Sequence, residues 1–274
     1  MANGVRLAIY GAGSRGRTGP AINGEGSKGM AGGHMVSAFD AELQHLQRTI
    51  VTMGRLVESQ FARAMEAITT RDADMAALVV KGDAEIDRLE LEVEGQSVRL
   101  LALRQPMAKD LREIVSALKI ASNLERMGDF AGSVAKRAVT LSALPVPPPV
   151  EALTGMGGAV LGMIGDVVRA YTGQDAELAM VVRERDGEVD AAYTALFRAT
   201  LARMMESPAQ ITGCTHLLFV AKSIERIGDH ATNVAESICF LAKGRLPTEE
   251  RAKGDLSSFA VVVEPVEKAP VREG

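Results

Sequence analysis

Residues 121–137 read ASNLERMGDFAGSVAKR and residues 221–237 read AKSIERIGDHATNVAES, with eight of the seventeen positions identical at an offset of 100. A repeat at fixed offset marks one structural unit used twice. Working outward, Met53-Gly54 matches Met156-Gly157, Asp72 matches Asp175, and DAEID at 83–87 matches DGEVD at 186–190, all at an offset of 103. The three-residue difference falls in the turn before the repeated motif, so one unit of three helices occurs twice.

The periodicity agrees. Apolar residues at Phe39, Leu43, Leu46, Ile50, Met53, Val57, Phe61, Met65 and Ile68 recur at spacings of 4 and 3, which predicts a long amphipathic helix. Thr70, Arg71 and Asp72 carry helix-start chemistry. A second helix then runs to about Leu103 with Met75, Leu78, Ile86, Leu89 and Val93. Pro106 opens a third, to about Leu141, with Leu111, Ile114, Leu118, Leu124, Met127 and Val134 facing inward. Proline breaks helix interiors, and LPVPPPV at 144–150 favours an extended linker. The expected organisation is a Gly-rich, disordered extension over 1–37, a first three-helix repeat over 38–143, the linker over 144–150, a second repeat over 151–245 and a disordered tail over 246–274. The fold class is all-α: two tandem three-helix bundles, six long helices in all, related by internal duplication.

Composition fits. The chain has 274 residues, 47% apolar and 24% charged, with 4% aromatics and no Trp, so an aliphatic, helix-packing core is expected. A net charge of −4 with mixed signs argues against a nucleic-acid surface, which needs concentrated basic charge. Cys214 and Cys239 lack CxxC spacing and read as reduced, buried thiols. No stretch approaches the roughly 20 uninterrupted apolar residues of a membrane span, and the first 34 residues lack the apolar core of a secretory signal. GAGSRG at 11–16 matches GxGxxG, but no βαβ pattern follows it. With four His and no Ser/His/Asp or Cys/His arrangement, the chain does not read as an enzyme.

The chemistry lies in the acids. ERxGD places Glu125 with Asp129, and Glu225 with Asp229, at i and i+4 on one helix face, where like charges repel by a few tenths of a kcal/mol unless a cation or basic partner is present. Asp83/Asp87 and Asp186/Asp190 repeat the arrangement on the second helices. In an antiparallel hairpin, residues equidistant from the turn share a level. The pairs 87/125 and 83/129 centre on 106, and 190/225 and 186/229 centre beside Pro208. Each unit thus sets four carboxylates at one level, about 28 Å from the turn at 1.5 Å per residue. Oxygen clusters of this kind suit divalent or iron cations (Fe, Mn, Mg or Zn), the hard ones best. The alternatives are solvated helix faces, or neutralisation by Arg126 and Arg226, which could instead turn outward to an anion or partner. Gly128 and Gly228 leave room beside the acids. His230, Asn233 and Glu236 could add ligands to the second cluster, where the first has Phe130, Ser133 and Lys136, so the second is expected to be the more complete.

These residues, LERMGDF, IERIGDH and PMAKDLR at 106–112, with the Met-Gly pairs and GDHATNVAE at 228–236, resemble the PhoU family across about residues 38–243. The resemblance implies a cytoplasmic negative regulator of the phosphate (Pho) regulon that couples a phosphate ABC transporter to a sensor histidine kinase by protein contact. It implies a protein peripheral to the inner membrane, often a homodimer, with Arg112, Arg126 and Arg226 as candidate partner or anion contacts. It also implies metal at the acidic motifs, here Asp83, Asp87, Glu125, Asp129, Asp186, Asp190, Glu225 and Asp229. A di-metal carboxylate or iron-storage bundle is the alternative. Such bundles use Glu-x-x-His, and His230 is five residues after Glu225.

Overall fold

The computed structural model describes residues 28–144, 150–248 and 255. Among them are six α-helices, a 3-10 turn and no strand: α1 Lys28–Thr70, α2 Ala73–Arg104, α3 Lys109–Ser142, α4 Glu151–Gly173, α5 Ala176–Glu206 and α6 Ile211–Lys243, with the turn at Pro208–Gln210 before α6. The chain divides into two compact units, Met1–Ala38 and Phe39–Gly274. Of the first, the described residues are the opening turns of α1. All that follows concerns the second.

The six expected helices are present, with adjusted ends. Helix α1 begins at Lys28, ten residues before the expected repeat, because no proline lies between Pro20 and that repeat, and glycine lowers helix stability without barring a helix. The rest of the expected extension, 1–27, lies outside the described residues, as do 145–149 of the linker and most of the tail. Helix α3 starts at Lys109 rather than at Pro106, after a turn in which Gln105 and Ala108 take positive φ. Leu78 and Leu111, expected inward, are 62% and 41% exposed. The apolar stripes are narrower there, and Ala76, Val79, Ile114 and Ala117 fill the core instead.

Turn chemistry explains why both three-helix repeats fold alike. Arg71 and Gln174, at equivalent positions, adopt left-handed backbone, and the next amide bonds back to the carbonyl five residues earlier, Asp72 N to Ala67 O at 3.0 Å and Asp175 N to Ala170 O at 2.8 Å. That closes the preceding helix in a Schellman turn. Asp72 and Asp175 then cap the next helix, accepting from Met75 N at 2.8 Å and from Leu178 N at 3.0 Å. Each such cap contributes about 1 kcal/mol.

All six helices contribute to one continuous apolar core. Fully buried Leu46, Met53, Phe61 and Met163 each contribute roughly 1.5–3 kcal/mol by leaving water. The two bundles meet where α1 packs antiparallel along α4 and where α3 packs against α6. At the first contact the repeated glycines allow close approach: a Cβ on Gly54 would lie 2.6 Å from Val168, and one on Gly157 2.5 Å from Met65. At the second, the equivalent residues Phe130 and His230 stack with ring centroids 5.7 Å apart. Contact between equivalent positions is what a two-fold relation between copies requires. Cys214 and Cys239 are buried free thiols. Helix α4 is long and apolar enough to cross a membrane, but half of its most apolar window is buried inside the fold, as expected of a core helix.

Candidate metal-binding clusters

In the first bundle, Asp83 and Asp87 of α2 face Glu125 and Asp129 of α3, and two further α2 acids, Glu90 and Glu94, extend the group. Burial, then Asp129, Asp87 and against them Lys136, set the Asp83 carboxyl above the usual range. Glu125 is pushed up to about 7 by burial, then by Asp129 and Glu90, with Arg126 opposing. Glu90 is raised by burial and by Glu94. The neighbour of Glu125 is thus Glu90, one turn nearer the hairpin than the expected Asp87. Helical side chains lean toward their own N-terminus, so in an antiparallel pair an α3 side chain reaches toward the turn and an α2 side chain away from it.

Two glycines cradle Asp83. A Cβ on Gly128 would stand 3.4 Å from its Oδ1, and one on Gly132 3.3 Å from its Oδ2. Asp83 Oδ1 is buried without a hydrogen-bond partner. Arg126, on the outer side, holds Glu125 and Asp129 at 3.5 Å each.

The second cluster is drier and internally neutralised. Asp186, Asp190 and Glu225 are 2%, 3% and 5% exposed. Thr232, where the first unit has Gly132, brings its hydroxyl within 3.3 Å of Asp186 Oδ1. Lys222 places its ammonium 2.9 Å from Glu225 Oε1 and 3.1 Å from Asp255 Oδ2, over the ring of Tyr193 at 4.9 Å. Glu225 is still raised by burial, with Lys222 pulling it down and Asp229 and Asp190 pushing it up. Its Oε2 is buried without a hydrogen-bond partner.

The candidate extra ligands do not join this cluster. His230 turns toward α3, with Nδ1 2.9 Å from Asn123 Oδ1. Glu236 accepts from Arg183 Nε at 3.1 Å. Asn233 is exposed. Of the arginines, Arg112 lies against Gly244 at the C-terminal cap of α6, where a cation meets the negative end of the helix dipole, and Arg226 lies over Phe130 at 5.8 Å. Sequence reasoning missed Glu90, Glu94 and Lys222. The spacing 83, 87, 90, 94 is one helical stripe that extends the acidic face, and Lys222 precedes Glu225 by three, an ion-pair spacing.

Among the described residues, no three His, Cys, Asp or Glu side chains are gathered closely enough to hold a metal ion as they stand. The donor sets nonetheless fit a hard cation: all-oxygen, raised carboxyls, and in each cluster a buried carboxylate oxygen that no donor satisfies.

Residues 50–138 and 153–238 each match the PhoU domain. The chain is 48% identical over 226 residues to the phosphate-specific transport system accessory protein PhoU homolog of Caulobacter vibrioides (strain NA1000 / CB15N), covering 82% of this chain and 98% of that one. It is 43% identical over 230 residues to the homolog of the same name from Rhizobium meliloti (strain 1021), covering 84% and 97%. The crystal structure of PhoU from Pseudomonas aeruginosa superposes with a TM-score of 0.74 at 36% identity, covering 76% of this chain and all of that one. The phosphate transport system regulatory protein PhoU from Streptococcus pneumoniae gives 0.71 at 30% identity, covering 77% and 100%. With both halves of the duplication matching the same domain, and relatives aligned over nearly their whole length, this chain belongs to the PhoU family.

Proposed function

We propose that the chain is a non-enzymatic regulatory accessory protein of a phosphate transport system. In this reading it works in the cytoplasm at the inner face of the membrane, as a homodimer. By contact it couples the phosphate ABC transporter to the sensor histidine kinase and holds the Pho regulon off when phosphate is abundant. The observation that carries the reading is the match of both repeats to one domain, in a chain whose relatives are named as accessory and regulatory proteins of phosphate transport.

The acidic clusters enter this reading as sites for divalent or iron cations. Asp83, Asp87, Glu125 and Asp129 would hold one in the first bundle, with Asp186, Asp190, Glu225 and Asp229 as the second set. A cation supplies positive charge between α2 and α3, where raised carboxyls otherwise repel. The carboxylates position it, and the flanking glycines leave its approach open. The di-metal enzyme or iron-storage alternative is disfavoured, since the imidazole it would recruit faces Asn123 instead.

Deleting the gene tests the regulatory reading. Alkaline phosphatase should rise in phosphate-rich cells and fall back when the wild-type gene is restored. Unchanged repression in a strain with no second copy would sink it. Elemental analysis of purified protein, with and without the first four carboxylates, tests the cation reading separately.

A further inference from the structure

A groove of about 400 Å³ lies between α1 and α4, away from the acidic clusters, lined by Gln47, Arg48, Val51 and Arg55 on one side and Tyr171 on the other. Two exposed arginines without a carboxylate partner border it, Arg48 and Arg55. Arg88, Arg104, Arg126, Arg169 and Arg183 are all tied to carboxylates. Arg48 and Arg55 are exposed, and neither guanidinium has a hydrogen bond or ion pair among the described residues. Seven residues apart, they share one face of α1, about 10 Å apart along the axis. The feature is not part of the duplication: the positions 103 residues on are Glu151 and Gly158, and Tyr171 answers to Ile68.

The floor supplies the second observation. Tyr171 is 6% exposed and its hydroxyl is buried without a hydrogen-bond partner. Burial, and after it the nearby Glu113, push the phenol up, so it keeps its proton and has one to donate. Glu113, the carboxyl beneath the groove, is itself buried and raised, and accepts from Gln47 Nε2 at 2.7 Å. Thr52 and Thr172 also border the groove, but both hydroxyls donate to carbonyls of their own helices, at 2.9 and 2.8 Å, leaving the arginines and Tyr171 as the donors. A further hollow of about 370 Å³ adjoins it, lined by Arg55, Glu58 and Arg169, the last committed to Asp166.

We propose that this groove binds a condensed phosphate chain, whose successive phosphoryl groups take Arg48 and Arg55 while the Tyr171 hydroxyl donates from below. Two guanidinium forks and a phenol offer more N–H and O–H groups than one carboxylate can accept, whereas phosphoryl oxygens present several acceptors each. The spacing of the arginines favours a chain over a single phosphate. The inference is independent of the metal clusters and of the regulatory reading.

Titration calorimetry on metal-stripped full-length protein in metal-free buffer tests it, with inorganic tripolyphosphate, ATP, orthophosphate, sulfate and citrate as probes. Tripolyphosphate should bind, and orthophosphate, sulfate and citrate should bind at least tenfold more weakly. ATP as tight as tripolyphosphate assigns the chain alone; tighter ATP assigns a nucleotide. Arg48→Ala and Arg55→Ala should each weaken tripolyphosphate about tenfold, while Arg63→Ala, which removes the same charge from α1 outside the groove, should not. Tyr171→Phe should weaken binding severalfold without lowering the melting temperature. No tripolyphosphate binding, equal binding of citrate or orthophosphate, or an unaltered affinity in the folded Arg48→Ala/Arg55→Ala double variant would overturn the proposal.

Discussion

Where the first bundle continues its acidic stripe with Glu90 and Glu94, the second has Tyr193 and Phe197, whose rings lie 6.2 Å apart. Where the first has Ser122, the second has Lys222, which carries its charge directly to Glu225. Charge is exchanged further along as well: Lys136 opposes the negative field at Asp83 in one bundle, and Arg183 holds Glu236 in the other. The two copies keep the same four carboxylates but balance them differently. The first gathers surplus negative charge at a half-exposed face. The second dries its acids and provides an ammonium from within. A duplicated acidic motif is therefore no guarantee of duplicated binding, since the cation that satisfies it can be a side chain.

That difference can be broken most severely through the metal. If the first cluster depends on an external cation, Asp83→Asn/Asp129→Asn should remove most of the Mn or Fe retained by purified protein. Asp186→Asn/Glu225→Gln should remove much less. Equal losses, measured by plasma emission, would erase the distinction between the copies.

Next in size is Lys222. Removing one partner of a buried pair leaves the other charge stranded, so Lys222→Met should destabilise the protein by about 2–3 kcal/mol. Lys222→Met/Glu225→Gln should recover most of that loss, since the glutamine carries no charge. Urea unfolding measures both, and a double variant no more stable than the single would deny that Lys222 serves as the counter-cation.

The first cluster should show itself in pH dependence. Glu125 has a folded pKa of about 7 against an ordinary value of 4.5, so between those values the folded state binds more protons than the unfolded one. Stability then falls as pH rises through that window. In metal-free protein the loss is on the order of 1–3 kcal/mol, and Glu125→Gln should flatten it. Bound metal should reverse the trend, because it favours the ionised carboxyl. Melting temperatures from pH 5 to 8 decide it: a profile in the variant as steep as in the wild type would place the proton elsewhere.

Much of this was legible in the sequence. The offset of 100 between the two ERxGD strings exposed the duplication, the spacing of apolar residues gave the first three helices, and the duplication supplied the other three. The acids at 83, 87, 125 and 129 fall into one cluster because period and hairpin symmetry are one-dimensional facts. Which partners neutralise them is not. Lys222 reaches Asp255 across 33 residues, and His230 turns to Asn123 on another helix. The packing of α3 on α6 sets that second choice, and no periodicity encodes it. The onset of α1 at Lys28 is likewise invisible to periodicity, because the apolar pattern begins only at Phe39 and glycine weakens a helix without barring it.

The smallest expected effect is the most discriminating of packing. Gly128 and Gly228 occupy the same place in the repeat, and alanine in an open helix position is favoured over glycine by about 1 kcal/mol. A Cβ on Gly228 would meet Val189 and Val160 at 3.5 and 3.6 Å, ordinary contact distances, so Gly228→Ala should stabilise by up to about 1 kcal/mol. On Gly128 it would lie 2.7 Å from the buried Ile86 Cδ1 and 3.4 Å from Asp83 Oδ1. Repacking Ile86 consumes the gain, and Gly128→Ala should be net destabilising by about 1 kcal/mol. It should also lower metal retention, because the new methyl group covers the carboxylate oxygen that the cradle leaves open. Opposite signs from one substitution at equivalent positions would show that the two sites have diverged in their packing as well as in their charge.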